Sequence, residues 1–293
     1  MKSGFVSIIG RPNVGKSTLL NKILDKKVSI VSEKAQTTRN NIKGIYHRDD
    51  VQIVFVDTPG IHKPHAKLGE EMDKMAYASL EEIDALILVV DASKKFGAGD
   101  TFLLEKVNVD VPLFIIINKI DLATIVEVNE LKMIYTEKFP KAKIIECVAL
   151  EGFNVDTLIE EIIKVLPEGP AYYEKETITD QDEIFQMKEI IREKALRILR
   201  DEVPHSIAVY MDHIDWDSSP IEIKASIIVE KESQKGIVIG KGGKKIKEIG
   251  SLARKDIESL LHKHVFLELF VKVREDWRNE ETYLKEFGYK NKN

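Results

Sequence analysis

Over its first 165 residues the chain alternates short, nearly unbroken apolar runs with stretches whose apolar positions recur every three or four residues. The runs 5–9, 42–47, 51–57, 85–91, 113–118 and 143–148 predict strands, and the stretches 16–24, 67–82, 100–107, 127–139 and 155–166 predict helices. A strand that is apolar along its whole length is covered by helices on both faces. The rhythm is therefore that of an α/β fold with a doubly wound, mostly parallel sheet and right-handed crossovers. Ligands on such sheets bind beyond the carboxyl ends of the strands, which gives motifs at those positions extra weight.

The rhythm stops at Pro167-Glu168-Gly169-Pro170, a turn-forming cluster. A helix start follows at 180–182, then a one-sided stripe of Ile184, Met187, Ile190, Ile191, Ala195, Ile198 and Leu199. Packing of that stripe on a neighbouring sheet is favoured over a membrane surface, because its acidic ends repel anionic lipid. Strands over 206–214 and 221–230, a glycine-rich turn, a helix over 244–261 and a strand over 265–273 complete an α-β-β-(α)-α-β order. The expected division is a domain over 1–168, a linker over 169–180, and an α+β domain over 181–293 that includes a C-terminal tail. The length of 293 residues agrees with two domains of roughly 150.

Composition narrows the chemistry. Apolar residues make up 43% and charged residues 32%, enough for a packed core. The formal charge of -5 excludes a polybasic, histone-like binder. The single cysteine, Cys147, excludes a disulfide framework and reads as a buried strand residue. Apolar runs reach only about six residues, as over 85–90, where a spanning helix needs about twenty. Met1-Lys2-Ser3-Gly4 leads straight into the first predicted strand with no signal-peptide pattern, so a reducing compartment is expected.

The strongest motif is Gly10-Arg11-Pro12-Asn13-Val14-Gly15-Lys16-Ser17, followed by Thr18 and placed between a strand and a helix. It fits the phosphate loop: glycines let backbone N–H groups converge on phosphates, Lys16 reaches the β and γ oxygens, and Ser17 ligates Mg²⁺. Asp57-Thr58-Pro59-Gly60 ends another strand, so Asp57 can hold Mg²⁺ through water and Gly60 can offer its N–H to a γ-phosphate. Asn118-Lys119-Ile120-Asp121 ends a third. A carboxylate there accepts from guanine N1–H and the exocyclic amine, while Asn118 can bond the N7 or O6 edge; this argues for GTP over ATP. In the polar stretch 32–41, Thr37 and Thr38 are both placed to close on Mg²⁺ and the γ-phosphate; Thr38 is preferred.

These residues resemble the TRAFAC-class GTPases that carry a Gly-x-Pro-Asn-x-Gly-Lys-Ser loop. The resemblance implies Mg²⁺ with GTP or GDP, and Lys16, Thr38 and Gly60 as the groups acting on the γ-phosphate. Ile61 stands where many signalling GTPases carry a water-orienting glutamine, so hydrolysis is expected to be slow or to use another device. Asn13 occupies the place of an asparagine that coordinates K⁺ in related enzymes. Val148-Ala149 replaces the usual Ser-Ala, leaving the Ala149 N–H available to guanine O6.

In the second half, Gly240-Lys241-Gly242-Gly243 precedes a helix, as in the Gly-x-x-Gly clamp of KH domains on single-stranded nucleic acid. Between residues 231 and 274, eleven Lys or Arg face five Asp or Glu, a local excess of six. Gly240, Lys241, Gly242, Gly243, Lys244, Lys245, Lys247, Arg254 and Lys255 are the candidate RNA contacts. With 10–20, 34–39, 57–60, 118–121, 189–194, 238–243, 254–256 and 267–269, the whole chain resembles the bacterial ribosome-assembly GTPases that join an Era-type G domain to a type II KH domain. That resemblance implies a switch that binds 16S rRNA near its 3′ end during maturation of the small (30S) ribosomal subunit. It also implies a monomer in the cytoplasm with peripheral association at the inner membrane. A nucleotide-dependent transferase would need an acceptor-site cluster, and a tRNA-modification GTPase a C-terminal cysteine motif; neither is found in the sequence.

Overall fold

The computed structural model describes residues 1–290 except 35, 65, 106, 108, 109, 201 and 202. It divides into two compact units whose main boundary falls between Asp180 and Gln181.

In the first unit the elements alternate as β1 (Lys2–Gly10), α1 (Lys16–Leu24), β2 (Ile42–Arg48), β3 (Val51–Asp57), α2 (Lys67–Ala78), β4 (Ala85–Asp91), α3 (Ala98–Leu104), β5 (Leu113–Asn118), α4 (Ile125–Lys138), β6 (Lys143–Cys147) and α5 (Val155–Val165). The sheet runs β2-β3-β1-β4-β5-β6. Every neighbouring pair is parallel except β2 with β3. Successive side chains of a strand point to opposite faces, and the apolar runs feed two cores accordingly. Ala85, Ile87 and Val89 pack with α1 and α5, through Leu20 and Ile159. Leu86, Leu88 and Val90 pack with α3 and α4, through Leu103 and Leu131.

Helix α4 begins two residues before the sequence pattern indicates. The Thr124 hydroxyl accepts from Glu127 N, and the Glu127 carboxylate accepts from Thr124 N at 2.8 Å, a reciprocal cap that fixes the first turn. Ile125 and Val126 in that turn are exposed, so apolar spacing carried no trace of it.

Residues 169–180, expected as a linker, lie along the first unit. Edge strand β2 presents unpaired backbone groups, and Ile45 N donates to Ile178 O at 2.8 Å while the Thr179 hydroxyl donates to Lys43 O at 2.7 Å. The buried Gln52 side chain accepts from Tyr172 N (2.6 Å) and Tyr173 N (3.1 Å) and donates to Tyr173 O (2.8 Å). The proline–glycine cluster marks the end of α5; the segment after it is a strap on the sheet edge.

The second unit runs α6 (Glu183–Ile198), β7 (Ala208–Asp215), β8 (Ile221–Val229), α7 (Glu232–Ile239), α8 (Lys244–Leu261), β9 (Val265–Val273) and α9 (Glu281–Phe287). Its sheet order is β7-β8-β9, the first pair antiparallel and the second parallel. Met187, Ile191 and Ala195 of α6 are buried, as are Ile249, Ala253 and Ile257 of α8 and the alternate β8 residues Ile223, Ala225 and Ile227. The C-terminal tail is part of this core. Trp277 is fully buried and its indole N–H donates to Ser206 O at 2.8 Å, with Phe287 edge-on and Tyr289 stacked. Seven-residue α9 is too short to declare itself by periodicity. Among the described residues no helix is long and apolar enough to cross a membrane.

Replacing Gln52 by Ala removes the partner of three part-buried backbone groups of the strap. The expected result is a loss of about 1–3 kcal/mol in a urea melt, with faster amide exchange at Tyr172 and Tyr173.

Candidate nucleotide site and nucleic-acid interface

The carboxyl ends of β1, β3, β4 and β5 meet where chain order reverses about β1, the place at which doubly wound sheets accept ligands. The loop leaving β1 turns through left-handed backbone at Asn13 (φ 65°) and Gly15 (φ 101°) before α1 begins at Lys16. A Cβ on Gly15 would lie 2.3 Å from Asn118 Nδ2, and one on Gly60 2.7 Å from Pro12 N. Both glycines are therefore required by close packing of the loops. Val14 is buried in the core and Thr18 half-buried in the first turn of α1, while Arg11 points sideways to Asp100 at 2.9 Å.

The Lys16 ammonium is held inside the loop by the carbonyls of Gly10 (3.2 Å) and Arg11 (3.0 Å). Burial pushes its pKa down to about 8, against the attraction of Asp57. Asp57 is fully buried; burial raises its pKa, opposed by Lys16 and by hydrogen bonds from Ser17, Ser29 and Thr38. Ser17 Oγ lies 2.6 Å from Asp57 Oδ2 and 2.8 Å from Thr38 Oγ1, and Thr38 Oγ1 lies 3.4 Å from the same carboxylate oxygen. Thus Thr38 is the threonine that joins Ser17 and Asp57. The second Asp57 oxygen, Oδ1, is buried without a hydrogen-bond partner. Two hydroxyls and a carboxylate with an orphaned oxygen make a donor set suited to a hard divalent cation, so the residues fit Mg²⁺.

Thr58 donates to Ile8 O at 2.8 Å, Pro59 is buried, and Ile61 N donates to Gly10 O at 3.2 Å. The Ile61 side chain is 1% exposed and belongs to the core that α3 and α4 cover. It is a packing residue, so a glutamine-like role at that position is replaced by apolar anchoring.

Asn118 differs in part from its expected task. Its Nδ2 donates to Val14 O at 2.8 Å and its Oδ1 accepts from Ala149 N at 2.9 Å, tying three loops together. The Ala149 N–H, expected to face guanine O6, is thus engaged by Asn118. Lys119 reaches Asn13 O (2.6 Å) and Asp91 Oδ2 (2.7 Å), Ile120 packs in the core, and Asp121 is exposed. The loop after β6 needs no serine hydroxyl: Val148 O accepts from the N–H groups of Glu151, Gly152 and Phe153.

Two residues of the site escaped sequence reasoning. Asp91 could have been found as a carboxylate at the carboxyl end of β4. Ser29 gives no such signal. It reaches Asp57 Oδ2 at 2.9 Å because the Asn21 side chain clasps the backbone of Val28 and Ser29.

On the second unit, α7 stops at Gly240 (φ 72°), and Gly242 (φ 60°) and Gly243 (φ 75°) carry the turn into α8. Beyond Gly242 and Gly243 a Cβ would meet nothing within 4 Å, so the glycines serve backbone conformation and leave the surface open. Lys241, Lys244, Lys247, Arg254 and Lys255 are exposed, with Lys245 half-buried. The spacing 244, 247, 254, 255 along α8 sets four cations on one side of the helix.

A phosphate-loop α/β unit carrying Asn118–Asp121, joined to a Gly-x-x-Gly α+β unit, defines the class: a GTPase with an appended KH domain. Residues 5–119 match the family described as 50S ribosome-binding GTPase, and residues 202–278 match the KH domain family. The chain is 51% identical over 291 residues to the GTPase Era of Alkaliphilus metalliredigens, covering 98% of this chain and 99% of that one. It is similar to Era of Aquifex aeolicus, solved as a variant bound to GDP·AlF4⁻, with a TM-score of 0.94 and 42% identity over 99% of each chain. The same figures hold for Era in complex with MgGDPNP and nucleotides 1506–1542 of 16S ribosomal RNA. This chain belongs to the Era family of GTPases.

A Gly15→Ala exchange pushes Asn118 off Val14 and forces a left-handed turn on a residue with a Cβ. The thermal midpoint should fall by several degrees without any ligand, about 1–3 kcal/mol, and calorimetry of the full chain checks this.

Proposed function

We propose that this chain binds GTP with Mg²⁺, hydrolyses it to GDP and phosphate, and uses the nucleotide state to control a KH clamp on 16S rRNA near its 3′ end during maturation of the small (30S) ribosomal subunit. The convergence of Ser17 at the start of α1, Thr38 before β2 and Asp57 at the end of β3, beside buried Lys16, carries the reading. The stretches that form the proposed nucleotide site are 10–18, 57–61 and 118–121 with Ala149; within them Arg11, Val14, Ile61 and Ala149 act by holding the loops in place. Lys16 compensates the β- and γ-phosphate charge, Gly60 N–H faces the γ-phosphate, and Asp121 accepts from the guanine edge. Ser17 and Thr38 would hold Mg²⁺ directly and Asp57 through water; the ion supplies charge neutralisation of the β- and γ-phosphates. Buried Lys16 raises the electrostatic gain from phosphate, since its charge has little water around it.

On the KH unit, Gly240–Gly243 would let an RNA backbone approach, with Lys241, Lys244, Lys245, Lys247, Arg254 and Lys255 compensating its phosphates. Loss of the γ-phosphate would release Thr38 and Gly60. Thr38 lies four residues before β2, the strand on which the strap 169–180 is hydrogen-bonded, and the strap runs on into the second unit. That gives the switch a covalent route to the RNA clamp. A monomer in the cytoplasm, with peripheral association at the inner membrane, completes the reading on the strength of the family resemblance.

The decisive experiment is crosslinking and sequencing of RNA bound to the full chain, in GDP and in GTP-analogue forms. Reads from the 3′ end of 16S rRNA, favoured by one nucleotide form and lost in Gly240→Asp and Lys241→Glu, are expected. Bulk tRNA, or equal RNA affinity in both forms, would count against it. Asn13 is the proposed K⁺ ligand. Replacing NaCl by KCl at equal ionic strength should raise the GTPase rate about tenfold, and equal rates would remove K⁺ from the mechanism.

A further inference from the structure

Ile61 is buried, so the device that holds the two switch loops for hydrolysis lies elsewhere. The next residue, His62, stands between them. Its Nδ1 is 2.9 Å from the carbonyl oxygen of Gly60, and its Nε2 is 2.9 Å from Gln36 Nε2. A carbonyl only accepts and an amide nitrogen only donates. The ring is therefore the tautomer that donates from Nδ1 to Gly60 and accepts at Nε2 from Gln36. Gln36 lies two residues before Thr38, and its backbone sits in the left-handed region at φ 59°, an unfavourable conformation for a long side chain.

The peptide between Gly60 and Ile61 is consequently pinned at both ends. Its oxygen accepts from His62 and its N–H donates to Gly10 O at 3.2 Å, on the phosphate loop. Fixing that peptide narrows the directions open to the Gly60 N–H that precedes it. We infer that His62 is a positioning residue for GTP hydrolysis, latching the Gln36–Thr38 loop to the Gly60 loop so that Thr38 and the Gly60 N–H face the γ-phosphate together. The inference rests on the GTPase reading above. His62 does not itself need to touch nucleotide; it acts through Gly60 and Gln36.

The test uses the full chain with Gln36→Ala, His62→Ala, the double variant and His62→Asn, which keeps an N–H for the Gly60 carbonyl but is too short for Gln36. At saturating GTP and Mg²⁺, His62→Ala should lower kcat about tenfold, with KM and GDP affinity within about twofold of the parent. Adding Gln36→Ala to it should change the rate less than twofold, and His62→Asn should recover part of the loss. Amide exchange with a non-hydrolysable GTP analogue should be slow across 36–38 and 58–62 in the parent and fast in His62→Ala. Parent-like rates in His62→Ala, multiplicative losses in the double variant, or GDP affinity falling in step with kcat would overturn the latch. A parent that binds GTP without hydrolysing it would refute the GTPase reading, while analogue-dependent exchange protection lost in His62→Ala would still support the latch.

Discussion

The carboxylate of Asp57 is the constraint around which the first unit is organised. It sits at the end of a strand that is buried from Gln52 onward, in a place where a charge is costly unless other groups compensate it. Lys16 supplies the opposite charge, and Ser17, Ser29 and Thr38 supply hydroxyl donors. Those groups come from three stretches of chain (16–17, 29 and 38), so satisfying one buried charge brings the phosphate loop, the turn after α1, the loop before β2 and the end of β3 to one point. Its second oxygen, Oδ1, is left without a hydrogen-bond partner from the protein.

Asn118 does for the base end of the site what Asp57 does for the phosphate end. A single amide with both ends paired to backbone holds the phosphate loop and the loop after β6 in register. Neither tie is a large energy by itself, about 1 kcal/mol per hydrogen bond. Their effect is positional: at Gly15 and Gly60 the loops approach so closely that a Cβ would clash with the neighbouring loop. The second unit contrasts with this. Its glycine loop is open at Gly242 and Gly243, where a Cβ would meet nothing within 4 Å, and the cations beside it are mostly exposed.

Much of this was legible in the chain itself. The alternation of apolar runs predicts all six strands of the first sheet, because parallel strands buried on both faces leave an unmistakable composition. The phosphate loop, Asp57–Gly60 and Asn118–Asp121 were legible because each chemistry requires particular residue types at fixed spacing. Less was legible where contacts are non-local. Ser29 carries no local mark of its tie to Asp57, which depends on the clasp from Asn21. Residues 169–180 read as a linker from their proline and glycine content, yet the hydrogen-bonding need of edge strand β2 and of buried Gln52 fastens them to the sheet.

The sequence by itself determined the class of fold and the succession of two units, and it set the motifs 10–17, 57–60 and 118–121 at strand ends. Periodicity and spacing are local properties, and local sterics translate them into elements without reference to the rest of the molecule. Tertiary structure alone decided which of two adjacent threonines meets Ser17, that Ile61 is an anchor, that Asn118 serves the protein's own loops, and that the C-terminal tail around Trp277 is core. Each of those outcomes depends on what lies across space from a side chain. Burial raises the cost of an unpaired polar group, and the partner that removes the cost can come from anywhere in the chain.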